Sequence, residues 1–191
     1  MTEAALKARQ RLIEGNERFV TGKSTTKAID MTKMEELAAK GQKPFALIVC
    51  CSDSRVPPEL IFDQGFGDIF VVRTAGNVVD EVCLGSIEYG AEHLDIPLIV
   101  VLGHEGCGAV KATVDGGPAH GALKAITDKI NVSYSRLKAS KNIYAECEDE
   151  NIKNTISDIK NNSLIAHLIS QGKTEVIGAK YGIHSGKVSF F

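Results

Sequence analysis

Short apolar runs alternate with amphipathic segments along this chain, and together they predict its strands and helices. The runs FALIVC (45–50), DIFVVR (68–73) and PLIVVLG (97–103) predict strands, because a strand covered on both faces of a parallel sheet is apolar throughout. Helical spacing over 80–95 places a helix between the second and third strands, which predicts a strand–helix–strand unit with a right-handed crossover. The alternating segment 174–191 predicts one more strand and a final hairpin partner.

The other segments carry helical patterns. Residues 3–21 are amphipathic, and the long polar connection after them leads us to expect that this helix packs on a neighbouring subunit. Further helices are predicted over 33–40, directly after Cys107, over 121–140 and over 143–172. The chain shows no repeat, linker or break in composition, so we predict a single α/β domain over 1–191 with an N-terminal helical arm at about 1–40.

Composition excludes several classes of partner. The chain has 191 residues, 43% of them apolar, and a formal net charge of −2, which gives no attraction to nucleic acid or to an anionic membrane. Its longest apolar stretches, 45–51 and 98–102, are too short to cross a bilayer, and its N-terminal segment lacks the apolar core of a secretion signal. Five unevenly spaced cysteines are more typical of reduced thiols than of a disulfide framework. We therefore expect a cytoplasmic protein without a nucleic acid or membrane partner.

Two predicted strands end in residues that can bind a metal. The first runs into Cys51, and the third runs into GHEGCG, which contains His104 and Cys107. Functional groups of α/β sheets gather beyond the carboxyl ends of the strands, so these three side chains can converge on one ion. Two cysteines and one histidine leave a fourth position open, as in catalytic zinc sites. Each half alone would more often be a turn or a buried free cysteine, but their placement at two strand ends favours one zinc ion per chain.

Only one of the adjacent Cys50 and Cys51 can face this site, because successive strand side chains point to opposite faces. Cys51, Asp53 and Arg55 share one parity and face the same cleft if the extended run continues. Cys50 is then predicted to pack on the other face as a small apolar residue.

The remaining cysteines and histidines lack a nearby partner of ligand type. We predict that Cys83 is a buried bystander and that Cys147, within the acidic segment ECEDE, is an exposed one. Surface or packing roles are predicted for His93, His120, His167 and His184.

The combination of C-x-D-x-R at 51–55 with H-x2-C at 104–107 resembles the signature of the β-class carbonic anhydrases. The resemblance covers nearly the whole chain and includes LIEGNERFVTGK, IFVVRTAGN, GSIEYG and VIGAKYGIHSGKV. It implies a core of about four parallel strands with a C-terminal edge strand, flanked by helices, in a homodimer or larger homo-oligomer whose N-terminal helix embraces its partner. It also implies zinc-dependent, reversible hydration of carbon dioxide to bicarbonate and a proton, through attack by zinc-bound hydroxide.

The resemblance implies catalytic roles for Asp53 and Arg55. Two thiolates make zinc a weaker Lewis acid than a three-histidine site does, so a further group should orient the hydroxide. Asp53 can accept the hydrogen bond of the hydroxide, and the planar fork of Arg55 can pair with both Asp53 oxygens and keep them ionised. The alternative for these two residues is a simple ion pair in a loop.

Carbon dioxide offers almost no polar handle, so its pocket is expected to be apolar with one or two donors. Matching to the open-site members of the family places Gln42, Phe70 and Tyr89 at this pocket and the backbone N–H of Gly108 near the substrate. Phe70 and Tyr89 could equally be core aromatics, and Gln42 could be a solvated loop residue.

The resemblance further favours the open type of site. One subgroup of the family closes at low pH when its aspartate moves to the zinc, and a tryptophan three residues before the first cysteine ligand helps to form its bicarbonate pocket. Here that position is Ile48, and the chain contains no tryptophan. Arg73 matches an arginine that occurs in both types and does not discriminate, whereas Gln42 matches the open type. We therefore expect Asp53 to stay paired with Arg55.

Three other functions compete with this interpretation. Carbonyl sulfide or carbon disulfide could be hydrolysed on the same scaffold, since the sequence does not give the size of the pocket. A non-catalytic zinc protein is disfavoured by the presence of the complete set of ligand and catalytic residues. A phosphate-binding turn at GHEGCG is disfavoured because its glycines are in the wrong order for a dinucleotide site.

Overall fold

The computed structural model describes residues 1–25, 30–137 and 140–191. Its sheet has the strand order β2-β1-β3-β4-β5. The strands are β1 (Ala46–Cys51), β2 (Ile69–Thr74), β3 (Leu98–His104), β4 (Glu175–Tyr181) and β5 (Val188–Phe190). The first four are parallel, and β5 runs antiparallel to β4 at the edge. The predicted fold class, a mostly parallel sheet with a C-terminal edge strand and flanking helices, is confirmed.

Helices surround this sheet. They are α1 (Glu3–Val20), α2 (Met31–Lys40), α3 (Pro58–Ile61), α4 (Glu81–His93), α5 (Gly108–Val114), α6 (Leu123–Tyr134), α7 (Ile143–Lys160) and α8 (Ser163–Ser170). The helical pattern over 143–172 is therefore two helices rather than one. The break falls at Asn161 and Asn162, and the Asn162 side chain accepts hydrogen bonds from the backbone N–H groups of Leu164 and Ile165, which caps the start of α8.

Burial explains why the strand segments are apolar. Every residue of the central strands β1 and β3 is buried, because helices cover both faces of the sheet. The even-numbered residues of β1, such as Ile48 and Cys50, belong to the apolar cluster on the α1 face of the sheet. The odd-numbered Leu47 and Val49 belong to the cluster on the face covered by α4 and α7. Most residues of β2 are only half-buried because it is an edge strand.

Helix α1 packs against the sheet of its own chain, and its contact with a neighbouring subunit stays a prediction. Its buried side chains Ala5, Ala8 and Leu12 belong to the same apolar cluster as the β1 residues of their own chain. Asn16 ties the helix down further: its side chain donates to the carbonyl groups of Ile61 and Gly186 and accepts from the backbone N–H of Val188. The amphipathic stripe of α1 therefore packs on the sheet of its own chain.

None of the helices in the described ranges combines the length and the apolar character that a bilayer span needs.

Candidate metal centre

Three ligand side chains meet at the carboxyl ends of two adjacent strands. Cys51 is the last residue of β1, His104 is the last residue of β3, and Cys107 lies in the turn that follows. Because β1 and β3 are parallel neighbours, their carboxyl ends lie at the same edge of the sheet. The ligand atoms of the three residues all lie within 4.8 Å of one another, and all three side chains are buried. The structure thus brings together the three residues that the sequence singled out.

Two glycines allow this turn to form. Gly106 has a φ of +66°, a left-handed conformation that lets the chain reverse between His104 and Cys107. Gly103 packs so closely that a Cβ atom there would lie 2.5 Å from the Ile152 side chain of α7. Gly106 therefore allows the turn to form, and Gly103 allows the close approach of α7.

His104 presents one ring nitrogen to the centre. Its Nδ1 atom lies 2.9 Å from the carbonyl oxygen of Glu105, and an Nδ1–H that donates to this oxygen leaves the Nε2 atom as an unprotonated ligand. Nε2 is buried and has no hydrogen-bond partner in the part of the chain that the structure describes. A buried nitrogen without a partner is costly unless something binds it, and a metal ion satisfies it.

The two sulfur atoms form an electrostatically coupled pair. A hydrogen bond from the Cys107 thiol lowers the pKa of Cys51 to about 4, although burial opposes this shift. The Gly76 N–H also donates to the Cys51 sulfur, at 3.2 Å. The same sulfur–sulfur contact, together with burial, raises the pKa of Cys107. The site therefore favours a thiolate at Cys51, and a divalent cation with affinity for sulfur would stabilise negative charge on both sulfurs. Two sulfurs and one imidazole nitrogen fit zinc.

Cys50 differs from Cys51 in the way that strand parity predicts. It is fully buried on the α1 face of the sheet, and burial raises the pKa of its thiol to about 12. Cys50 thus packs as a small apolar residue, as predicted.

The prediction that Cys147 is exposed is wrong. Cys147 is fully buried in the apolar cluster that also contains Cys51 and Cys107. It lies on the inner face of α7, so its acidic sequence neighbours do not report its own exposure. Cys83, predicted to be buried, is only partly so, and His93, His120, His167 and His184 are all exposed, in agreement with surface roles.

Asp53 and Arg55 form a two-pronged ion pair beside the centre. Arg55 donates from Nε to one Asp53 oxygen at 3.0 Å and from Nη2 to the other at 2.7 Å. These hydrogen bonds lower the pKa of Asp53 to about 2. Arg55 also donates to the carbonyl oxygen of Gly106, and Arg73 donates to the carbonyl oxygens of Cys51 and Asp53. Arg55 thus fixes the segment after β1 to the turn after β3, and Arg73 fixes the same segment to β2.

The structure does not bring the other predicted pocket residues to the centre of the same chain. Phe70 pairs with Leu47 and Thr74 pairs with Cys51, so Phe70 lies about 13 Å before the metal end of the sheet at the usual rise of a strand. The Tyr89 ring packs beside Phe70, with 6.3 Å between the ring centroids. Gln42 is exposed and precedes β1, so it lies at the opposite end of that strand from Cys51. Gly108, in contrast, directly follows Cys107 as the first residue of α5.

Sequence reasoning missed a set of residues on α7. Glu148 accepts a hydrogen bond from the backbone N–H of Cys107, at 3.2 Å. Asn151 and Thr155 donate to the carbonyl oxygens of Gly76 and Asn77, at 2.7 and 3.2 Å. Their spacing of three and four residues was the available signal, since it places three polar side chains on one face of the helix.

Comparisons with known proteins agree with this geometry. The family model that matches the chain is described as carbonic anhydrase, and the match covers residues 46–188. Carbonic anhydrase 2 of Mycobacterium tuberculosis is 41% identical over 183 residues, which cover 92% of this chain and 87% of that protein.

Solved structures extend the agreement to the fold. The β-carbonic anhydrase CcaA has a TM-score of 0.73 and 30% identity, with 96% of this chain and 94% of that chain covered. A tetrameric β-carbonic anhydrase from the ascomycete Sordaria macrospora has a TM-score of 0.77 and 25% identity, with 97% of each chain covered. The prediction that the chain is an enzyme is confirmed, because the chain matches proteins named carbonic anhydrase over most of its length. The chain therefore belongs to the carbonic anhydrase family, as an enzyme of its β class.

Proposed function

We propose that this enzyme catalyses the reversible hydration of carbon dioxide to bicarbonate and a proton, with one zinc ion per chain held by Cys51, His104 and Cys107. The observation that carries the proposal is the buried convergence of these three ligand atoms, with a free Nε2 atom on His104, in a chain of this family. When bound, zinc supplies hydroxide near neutral pH because it lowers the pKa of water.

The chain's own residues then orient the reactants. Asp53 stays ionised because Arg55 holds both of its oxygens, so its carboxylate can accept a hydrogen bond from the nucleophile and fix its orientation. The Gly108 N–H can donate to an oxygen of the substrate. A Cβ atom at Gly108 would meet nothing within 4 Å, which leaves room for a small molecule beside Cys107.

We further propose that the site is of the open type. Both Asp53 oxygens are engaged by Arg55, and Ile48 is fully buried in the apolar cluster on the opposite face of the sheet. Both observations support an open site. None of the five cysteines, all within the described ranges, forms a disulfide, which supports a reducing compartment such as the cytoplasm.

Finally, we propose that a second copy of the chain completes the substrate pocket in a homodimer. The free edge of β2 can pair with the same strand of a partner, and a two-fold axis near Val72 would set Phe70 of the partner subunit opposite Thr74, the neighbour of Cys51. Val82, at 78% exposure, and Tyr89, at 48%, add an uncovered apolar surface on the adjacent α4. This arrangement would bring Gln42, Phe70 and Tyr89 to the metal end of the other chain.

Replacing the two adjacent cysteines separately tests the metal proposal. We expect the purified protein to contain one zinc per chain, Cys51→Ala to lose it, and Cys50→Ala to keep it at a packing cost of about 1 kcal/mol. Metal analysis beside a stopped-flow hydration assay measures both effects. Zinc retained by Cys51→Ala, or lost from Cys50→Ala alone, would contradict the assignment.

Asp53→Asn and Arg55→Lys test the role of the ion pair. We expect each to lower kcat/KM at least about 100-fold, because asparagine lacks the carboxylate and lysine cannot hold both of its oxygens. Zinc content and the free energy of unfolding should remain near wild type. Arg18→Lys is the matched control, since Arg18 pairs with Asp63 away from the centre. Near-normal turnover in both test variants would reduce Asp53 and Arg55 to a structural pair.

The pH dependence tests the open site. Because the pKa of Asp53 is lowered to about 2, its carboxylate is charged at pH values well above that and can stay paired with Arg55. The stability it adds is present above its ordinary pKa of about 4 and is lost only as the pH falls toward about 2. We expect activity to decline gradually on acidification, and zinc to leave as its ligands become protonated. An abrupt loss below about pH 8 with cooperative inhibition by bicarbonate would contradict this proposal.

Mixed dimers test the shared pocket. Gln42→Ala should lower kcat/KM about 10-fold or more, and Cys51→Ala should abolish activity. If the two residues act in one site from different chains, a heterodimer of these variants contains one intact site. Random pairing after co-expression should then restore about one quarter of wild-type activity. Two residues acting from the same chain would give no restoration, and full activity of Gln42→Ala alone would remove it from the pocket.

A further inference from the structure

One face of α7 carries polar side chains that are buried rather than solvated. Glu148, Asn151 and Thr155 are only 6%, 1% and 2% exposed. Their spacing places them in one row along the helix. A buried polar group destabilises a fold unless it is hydrogen-bonded, so the partners of these three side chains indicate what the row is for.

Glu148 connects the Cys107 turn to the sheet. One carboxylate oxygen accepts the Cys107 N–H at 3.2 Å, and the other lies 3.0 Å from the ammonium group of Lys180. Lys180 lies on β4 and pairs in register with Gly103, immediately before His104. The turn that carries Cys107 is thus held through Glu148 to the strand next to β3.

Asn151 and Thr155 hold the second sulfur-bearing region. Their side chains donate to the carbonyl oxygens of Gly76 and Asn77, in the turn whose Gly76 N–H contacts the Cys51 sulfur at 3.2 Å. Gly76 and Asn77 both have positive φ, +71° and +48°. A left-handed conformation at a non-glycine residue is costly, and the surrounding structure must hold it in place.

We propose that this polar face of α7 positions both cysteine ligands, with Glu148 as the positioning residue for Cys107. The inference rests on the zinc centre proposed above. Through Glu148, α7 bonds the backbone of Cys107. Through Asn151 and Thr155, it bonds the turn whose N–H donates to the Cys51 sulfur. The helix therefore fixes the two sulfurs relative to each other independently of the metal. Partners of this outer kind commonly change metal affinity 10- to 100-fold when they are removed.

A matched pair of near-isosteric variants tests the role of Glu148. Glu148→Gln keeps an oxygen that can accept from the Cys107 N–H, whereas Glu148→Met keeps the volume and removes the acceptor. We expect Glu148→Met to weaken zinc binding about 10- to 100-fold in chelator competition. In the cobalt-substituted full-length protein it should also shift the sulfur-to-metal charge-transfer bands. Glu148→Gln should restore most of the affinity and the wild-type spectrum.

Asp149→Asn is the control. Asp149 also pairs with Lys180, at 2.7 Å, but it is half exposed and does not contact Cys107. We expect its zinc affinity and cobalt spectrum to match wild type. If Glu148→Met fails to fold, Asn151→Leu, which removes the hydrogen bond to the Gly76 carbonyl, is measured against the same expectation.

The outcomes separate this inference from the proposed function. Failure of the wild-type protein to bind zinc would overturn the zinc centre itself. Wild-type zinc binding with unchanged affinity and spectrum in Glu148→Met would overturn only the positioning role. Equal weakening in Asp149→Asn would also overturn it, because the effect would then come from the Lys180 ion pair rather than from the Cys107 contact.

Discussion

Two cysteine sulfurs and one imidazole nitrogen, buried at the carboxyl ends of β1 and β3, are the interaction on which the site depends. The close approach of the two sulfurs lowers the pKa of Cys51 and raises that of Cys107, and the Nε2 atom of His104 has no hydrogen-bond partner among the described residues. Buried groups of this kind are unfavourable for a fold, and a sulfur-binding divalent cation satisfies all three at once. The glycine turn, the paired arginines and the polar face of α7 all serve to hold these atoms in place.

Two sets of charged residues surround the centre. Arg55 and Arg73 hold the segment after β1 from the solvent side, and Arg55 keeps Asp53 ionised. Glu148 holds the turn after β3 from the interior, and its charge is balanced by Lys180. A buried ion pair adds little net stability because desolvation offsets its attraction. Its proposed value lies in fixing the position of Cys107.

The sheet edge sets a different constraint. The exposed flank of β2 and α4 leaves apolar side chains uncovered, while the aromatic residues assigned to the substrate pocket lie far along the sheet from their own Cys51. The proposed two-fold partner would satisfy both conditions with one contact, because antiparallel pairing of β2 reverses the direction of the strand. The edge would thus be covered and the pocket completed by the same surface.

The sequence by itself determined the strands, the three candidate ligands and the choice between Cys50 and Cys51. These depend on local rules: apolar runs form buried strands, and alternate side chains face opposite ways. The position of α1, the burial of Cys147 and the contacts of Glu148, Asn151 and Thr155 were decided only by the tertiary structure. A helical pattern indicates which residues share a face but not which element packs against that face. Cys147 was predicted to be exposed because its sequence neighbours are acidic, although it lies on the buried face of α7. Parallel pairing of β1 with β3, and the packing of α7 on β3 and β4, bring residues distant in the chain within bonding distance.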